Sequence, residues 1–166
     1  MSKRPLILLC EDNREDVFLL RRAFAKADVA CSIVDVRNGQ QAINYLSGTG
    51  LYTSREEHPL PNLVVLDLKM PLMDGFEALA WMQTRAELKG IPAVVLSGSI
   101  EPTDLEAAKK LGAQEYLVKP KDWDELIKFA QVLDERYLSK PTNPLISPQA
   151  STIGKTSDAS RQPGPE

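Results

Sequence analysis

The chain has 166 residues and a formal net charge of -3, with 26% charged residues. This length fits one domain of ordinary size, and the weak negative charge provides no basic surface for direct binding of nucleic acid or anionic lipid. No apolar stretch approaches the roughly 20 residues of a membrane span, and the run from Leu6 to Cys10 is too short for an export signal, so we expect a soluble protein with no membrane contact.

Five short apolar segments recur along the chain, each bounded by turn residues. They are Leu6–Cys10, Ile33–Val36, Leu63–Leu66, Ala93–Leu96 and Tyr116–Val118. Their near-continuous hydrophobicity favours parallel strands covered on both faces, and the segments between them repeat apolar residues at helical spacing. This alternation predicts a doubly wound α/β domain whose site lies at the carboxyl ends of the strands.

Two segments lack this regularity. Residues 47–62 contain two glycines and two prolines without a clear period, which predicts a long surface loop. From Lys140 onward the chain is rich in Ser, Thr and Pro. A segment of that composition cannot bury enough apolar surface to offset its chain entropy, so we predict a folded domain over residues 1–139 and a disordered tail over 140–166.

Polar residues stand at the ends of the predicted strands. Glu11 and Asp12 follow the first strand, Asp67 the third, Ser97 the fourth and Lys119 the fifth. These ends meet at one edge of a parallel sheet, where the three carboxylates would raise each other's pKa values unless a cation were bound. Oxygen ligands of this kind suit Mg²⁺.

The same residues meet the needs of phosphoryl transfer. Asp67 can attack phosphorus as a carboxylate nucleophile, while the metal neutralises charge on the equatorial oxygens. The Lys119 ammonium and the Ser97 hydroxyl can each donate a hydrogen bond to a phosphoryl oxygen. Gly98 leaves room for the phosphoryl group beside Ser97.

The order of these motifs resembles the bacterial response-regulator receiver family of two-component systems. The motifs are Glu11-Asp12, Asp67 to Gly75, Ser97-Gly98 and Tyr116 to Pro120. The resemblance spans about residues 6–138 and implies a flavodoxin-like (βα)5 fold with strand order 2-1-3-4-5. It also implies a cytoplasmic phospho-acceptor that signals by conformational switching, not an enzyme with an external substrate.

The resemblance assigns roles to individual residues. Asp67 accepts the phosphoryl group, and Asp12, Asp67 and the backbone carbonyl of Lys69 ligate Mg²⁺, with Glu11 helping through water. Lys119 contacts the phosphoryl group.

The resemblance also implies a switch and a backbone feature. Ser97 and Tyr116 form the switch pair, in which the hydroxyl moves toward the phosphate and the aromatic ring turns inward. The bond between Lys119 and Pro120 is expected to be cis, which proline permits.

Three features depart from the common receiver pattern. Glu11 replaces the usual Asp, Ser97 replaces the commoner Thr, and the loop before Pro61 is long. The long loop resembles a subgroup of single-domain regulators that partner bacterial phytochromes. The implied partner is a sensor histidine kinase, and within this subgroup a bacteriophytochrome.

The last predicted helix carries two apolar stripes. Trp123, Ile127, Ala130 and Leu133 are expected to pack on the sheet, which leaves Phe129 and Val132 on a second stripe. Receiver relatives dimerise through the fourth helix, fifth strand and fifth helix. We therefore predict a homodimer that uses Phe129 and Val132, since no output domain is seen after Leu138.

Two other functions remain open. An aspartate-nucleophile phosphohydrolase also uses a strand-end Asp, Mg²⁺ and Lys, but usually places a general acid two residues after the nucleophile, where this chain has Lys69. A phosphorylation-independent binding module is the other alternative. The complete set Glu11, Asp12, Asp67, Ser97 and Lys119 argues against it.

Overall fold

A computed structural model describes residues 3–139. Its centre is a five-stranded parallel sheet with the order β2-β1-β3-β4-β5, as predicted. The strands are β1 (Leu6–Cys10), β2 (Ser32–Val36), β3 (Leu63–Leu66), β4 (Ala93–Ser97) and β5 (Glu115–Val118). The predicted tail, residues 140–166, lies outside the described residues.

In the described part of the chain, five α-helices connect and follow the strands. They are α1 (Arg14–Lys26), α2 (Gly39–Ser47), α3 (Gly75–Gln83), α4 (Pro102–Lys110) and α5 (Trp123–Leu133), and a π-helical turn (Asp134–Leu138) continues α5. Short 3₁₀ turns lie at Gly50–Tyr52 and Ala86–Leu88. Within residues 3–139, none of the helices is long and apolar enough to span a bilayer.

The sheet is buried on both faces because alternate strand residues point in opposite directions. In β1, Leu6, Leu8 and Cys10 belong to a core shared with α2, α3 and α4. Ile7 and Leu9 belong to a second core shared with α1 and α5. The two cores explain why the strand sequences are apolar without alternation.

Side-chain caps fix where the helices begin. Asn13, Asn38 and Asp122 each accept a hydrogen bond from a backbone N–H in the first turn of α1, α2 and α5. Asp74 forms a reciprocal capping box with Glu77 at the start of α3. Asn13, Asn38 and Asp122 follow the ends of β1, β2 and β5 by two to four residues, so these helices start close to the edge where the polar residues were predicted.

The long loop predicted over residues 47–62 begins at Ser47, the last residue of α2, and side-chain hydrogen bonds tie it to that helix. The Arg55 guanidinium donates hydrogen bonds to the carbonyls of Tyr45 and Leu46, at the end of α2, and to the carbonyl of His58. The Tyr45 hydroxyl donates to the carbonyl of Pro59 at 2.8 Å. One arginine therefore donates to two carbonyls in the last turn of α2 and holds the loop against this helix.

The prediction that Phe129 lies on an exposed stripe of α5 is wrong. Phe129 is 8% exposed and belongs to the core between α1 and α5, together with Ala130 and Leu133. Trp123, predicted to face the sheet, is 38% exposed and lies against Arg22. Residues three and four apart share a helix face, and the buried face of α5 consists of Leu126, Phe129, Ala130 and Leu133. Ala130 and Leu133 lie on the predicted face, but Leu126 and Phe129 replace Trp123 and Ile127 there.

The expected cis bond before Pro120 is also not found, since residues 3–139 contain no cis peptide bond. A bond before proline prefers trans by only about 0.5–1 kcal/mol in an unfolded chain. The residue pair Lys119-Pro120 therefore permits either isomer and does not determine one.

Candidate functional site

Backbone pairing continues one residue past three of the strands, and this brings the predicted site residues together. The N–H groups of Glu11, Asp67 and Lys119 donate to the carbonyls of Val36, Cys10 and Ser97, at 2.9, 2.9 and 2.8 Å. The ladder thus fixes the backbone of Glu11, Asp67 and Lys119 at adjacent positions along the carboxyl edge of the sheet.

Three carboxylates meet at this edge. One oxygen each from Glu11, Asp12 and Asp67 lies within 4.8 Å of the others. Glu11 is 2% exposed and Asp67 is 7% exposed, whereas Asp12 is open to solvent. A half-open group of hard oxygen donors fits Mg²⁺, which binds one or two protein carboxylates and keeps several waters.

The Lys119 ammonium lies among carboxylates. Its Nζ is 2.7 Å from Glu11 Oε2, 2.9 Å from Asp16 Oδ2 and 3.2 Å from Asp67 Oδ2. Lys119 therefore links the end of β5 to the ends of β1 and β3 and to the first turn of α1. The ammonium supplies part of the positive charge that the sequence indicated the acidic group would need.

Glu11 and Lys119, both in this site, have shifted pKa values. Burial, with a smaller contribution from the charge of Asp67, raises the pKa of Glu11 to about 7 against hydrogen bonds from Lys119 and from the Asn13 N–H, which lower it. For Glu11 the predicted direction is correct, but burial contributes more to the rise than repulsion by Asp67 does. Burial lowers the pKa of Lys119, but hydrogen bonds to Asp16 and Glu11 and the charge of Asp67 outweigh burial and raise it overall.

The segment after Asp67 packs tightly against the strand end. A Cβ atom on Gly75 would lie 2.3 Å from the carbonyl oxygen of Asp67, so this position requires glycine. The Lys69 N–H donates to Asp67 Oδ1 at 3.3 Å, and the Gly75 N–H donates to the Leu68 carbonyl at 3.1 Å. These contacts orient the Asp67 carboxylate, while ligation of metal by the Lys69 carbonyl stays a prediction.

A hydrogen-bond network joins the two predicted switch residues through Ser99. Ser97 is fully buried, and its Oγ accepts from the Ser99 N–H at 3.2 Å, which leaves its own O–H proton free to donate. The Tyr116 hydroxyl donates to the Ser99 carbonyl at 2.9 Å. Ser99 Oγ donates to Asp104 in α4 at 2.6 Å. Ser97 is thereby connected both to β5 and to α4.

Comparison with known proteins agrees with this geometry. The family model described as the response regulator receiver domain matches residues 7–131, which include the whole sheet from Ile7 onward and nearly all of α5. The chain belongs to the response regulator receiver family.

Individual relatives extend the comparison. The receiver is 34% identical to response regulator Rcp1 of Synechocystis over 84% of this chain and 92% of Rcp1. It is 35% identical to the phosphorylated cyanobacterial phytochrome response regulator RcpA, with a TM-score of 0.77 over 84% of this chain and 98% of RcpA. The Mn²⁺-bound form of Rcp1 is 33% identical, with a TM-score of 0.73 over 83% of this chain and 97% of Rcp1.

Sequence reasoning missed two residues of this receiver site. Asp16 follows Asp12 by four positions, the spacing that places two residues on one face of a helix, but α1 begins only at Arg14. Ser99 follows Ser97 by two positions in a loop that carried no periodic signal. Glu11, Asp12, Asp67 and Lys119 were all placed correctly at one edge.

Proposed function

We propose that this receiver accepts a phosphoryl group on Asp67 from a sensor histidine kinase and signals by a conformational switch. The supporting observation is the arrangement around Asp67: an ammonium 3.2 Å from one carboxylate oxygen and two further carboxylates at metal-binding distance. A location in the cytoplasm is part of the proposal, because the ATP that a histidine kinase uses is found there.

Asp67 is the nucleophile in this proposal. A lone pair of its carboxylate oxygen forms the new P–O bond as the P–N bond of the kinase phosphohistidine breaks, and the bonding pair stays with the imidazole nitrogen. Mg²⁺, held by Glu11, Asp12 and Asp67, would neutralise charge on the phosphoryl oxygens. Lys119 donates to one phosphoryl oxygen and Ser97 to another.

The signal would then leave through Ser99. When Ser97 turns its hydroxyl toward the phosphoryl group, the Ser99 N–H that is bonded to it moves as well. The Ser99 carbonyl and hydroxyl hold Tyr116 and Asp104, so the movement reaches β5 and α4 together. This network supports switching on the surface formed by α4, β5 and α5.

Incubation of the full chain with acetyl phosphate and Mg²⁺ tests the proposal. We expect intact-mass measurement to show one added phosphoryl group in the presence of Mg²⁺. When EDTA replaces Mg²⁺ in the incubation, no phosphoryl group should be added. Reduction of the acyl phosphate with borohydride and peptide mapping should place it on Asp67. An unchanged mass with Mg²⁺ present, or a phosphoryl group mapped to another residue, would contradict the proposed function.

We further propose that the kinase partner is a phytochrome. RcpA is described as a cyanobacterial phytochrome response regulator, and a bacteriophytochrome response regulator, AtBRR, is 36% identical over 78% of this chain with a TM-score of 0.65.

The alternative of a phosphohydrolase is not favoured. The chain belongs to a family of response regulators, and Lys69 stands at the position where phosphohydrolases carry their general acid.

A homodimer through α4, β5 and α5 is also part of the proposal, without the buried Phe129. Val118 in β5 and Leu105 in α4 are 46% and 40% exposed, and Val132 in α5 is half-buried. Their apolar area would be removed from water in a two-fold contact.

A double variant with Leu105→Glu and Val118→Glu should sediment as a monomer under conditions where the wild type dimerises, with and without beryllofluoride. Leu51→Glu is the matched control, because Leu51 is 86% exposed on the loop that follows α2. A wild type that is monomeric throughout, or a double variant that still dimerises, would rule out this surface.

A further inference from the structure

Asp16 contacts the phosphorylation site although it stands outside the predicted set of site residues. Its Oδ2 accepts a hydrogen bond from Lys119 Nζ at 2.9 Å, across 103 positions of sequence. The backbone of Asp16 is fixed in the first turn of α1, where its N–H donates to the capping side chain of Asn13 at 3.0 Å. The Asp16 carboxylate therefore reaches Lys119 from a backbone position that the helix cap fixes.

Lys119 divides its contacts between two kinds of carboxylate. An ammonium has three N–H donors, and here three carboxylates surround it: Glu11, Asp16 and Asp67. Glu11 and Asp67 belong to the acidic group whose oxygens lie within 4.8 Å of one another, and Asp16 does not. When Glu11 and Asp67 direct oxygens to a metal ion, they divide their negative charge between the metal and Lys119, whereas Asp16 stands outside the acidic group and faces Lys119 without that competition.

We propose that Asp16 is a positioning residue that holds the Lys119 ammonium beside Asp67 during phosphoryl transfer, an inference that rests on the proposed function. With one N–H donated to Asp16, Lys119 can direct another to a phosphoryl oxygen without searching through its rotamers. This is the benefit of a side chain oriented in advance, since it loses less freedom in the transition state.

The variant Asp16→Asn tests this role, with Glu15→Gln as its matched control. Glu15 is the exposed neighbour in the same helical turn, so both variants remove one negative charge from the same helix end. Under saturating Mg²⁺, Asp16→Asn should lower the maximum rate of phosphorylation by acetyl phosphate roughly tenfold, the order expected when a charge-assisted hydrogen bond is weakened. Glu15→Gln should leave that rate unchanged.

Two readouts separate positioning from general effects of charge. Removing a negative charge eases the approach of the anionic phosphodonor, so repulsion alone would lower the half-saturating concentration and would not reduce the maximum rate. In the metal-free protein, the Lys119 ammonium should give an NMR signal slowed in exchange by its hydrogen bonds. Its loss in Lys119→Met assigns the signal to Lys119. The signal should be retained in Glu15→Gln and broadened in Asp16→Asn. Asp16→Glu, which keeps the carboxylate, should recover part of the rate.

The possible results are distinct. Asp16→Asn and Glu15→Gln that match the wild type in rate and in the NMR signal would overturn the role of Asp16 while leaving phosphorylation of Asp67 intact. A wild type that gains no phosphoryl group would overturn the proposed function and this inference with it. A slow Asp16→Asn with an undisturbed Lys119 signal would also contradict positioning through Lys119.

Discussion

Replacing Asp67 with Asn is expected to abolish phosphorylation by acetyl phosphate at every Mg²⁺ concentration. The amide has nearly the same shape, but it carries no negative charge and is a far weaker nucleophile than a carboxylate. Intact mass after prolonged incubation is the measurement. Asp28→Asn is the control, since Asp28 is exposed at the far end of α1 and has a positive φ that asparagine tolerates.

A second variant distinguishes loss of the nucleophile from loss of the metal. Asp12→Asn removes a carboxylate from the acidic group but leaves Asp67 in place, so its phosphorylation should fall at low Mg²⁺ and recover as Mg²⁺ is raised. Asp67→Asn should not recover. Equal mass gain in wild type and Asp67→Asn would show that another residue accepts the phosphoryl group.

The sheet and the edge that carries the site could be predicted because both depend on short-range patterns. Each strand is an apolar run, and Glu11, Asp67 and Lys119 each directly follow a strand, so parallel pairing of the strands carries these three residues to the same edge. The receiver motifs then assigned chemistry to residues that the topology had already brought together.

Contacts that depend on three-dimensional detail could not be predicted in the same way. The contact between Asp16 and Lys119 needs the rotation of α1 and the reach of a lysine side chain from β5. The role of Arg55 needs the end of α2 to lie beside a loop ten residues further along. Neither contact produces a periodic pattern in the sequence, because each is made by one charged side chain, and charged residues occur throughout the chain.

The error at Phe129 has a specific cause. Both candidate faces of α5 contain apolar residues at helical spacing, so periodicity alone could not select between them. The selection comes from α1, which packs against α5 and contributes Leu20 and Phe24 to the same core. Trp123, which was expected to be buried, lies instead in the first turn of α5 beside Arg22.

Burial of Glu11 should make both stability and metal binding depend on pH. Its pKa in the folded protein is about 7, against an ordinary value of 4.5, so between these values the folded state binds a proton that the unfolded state has released. The free energy of unfolding of the metal-free protein, as far as Glu11 determines it, therefore falls as pH rises from about 4.5 to about 7 and is level above that. Urea titrations with EDTA measure this change.

Mg²⁺ affinity is expected to change in the opposite direction over the same range. A carboxylate must be ionised to serve a metal ion, so binding below pH 7 has to expel the Glu11 proton, and affinity should fall about tenfold for each pH unit toward 5. Calorimetric titration from pH 5.5 to 8 measures the affinity, and repeating it in buffers of different ionisation enthalpy gives the number of protons released.

In Glu11→Gln this proton release should disappear, with weaker binding at every pH. Two results would contradict this prediction: a wild-type affinity that does not vary with pH, or an equal proton release in Glu11→Gln. Either would show that Glu11 is already ionised in the metal-free protein and that burial does not raise its pKa into this range.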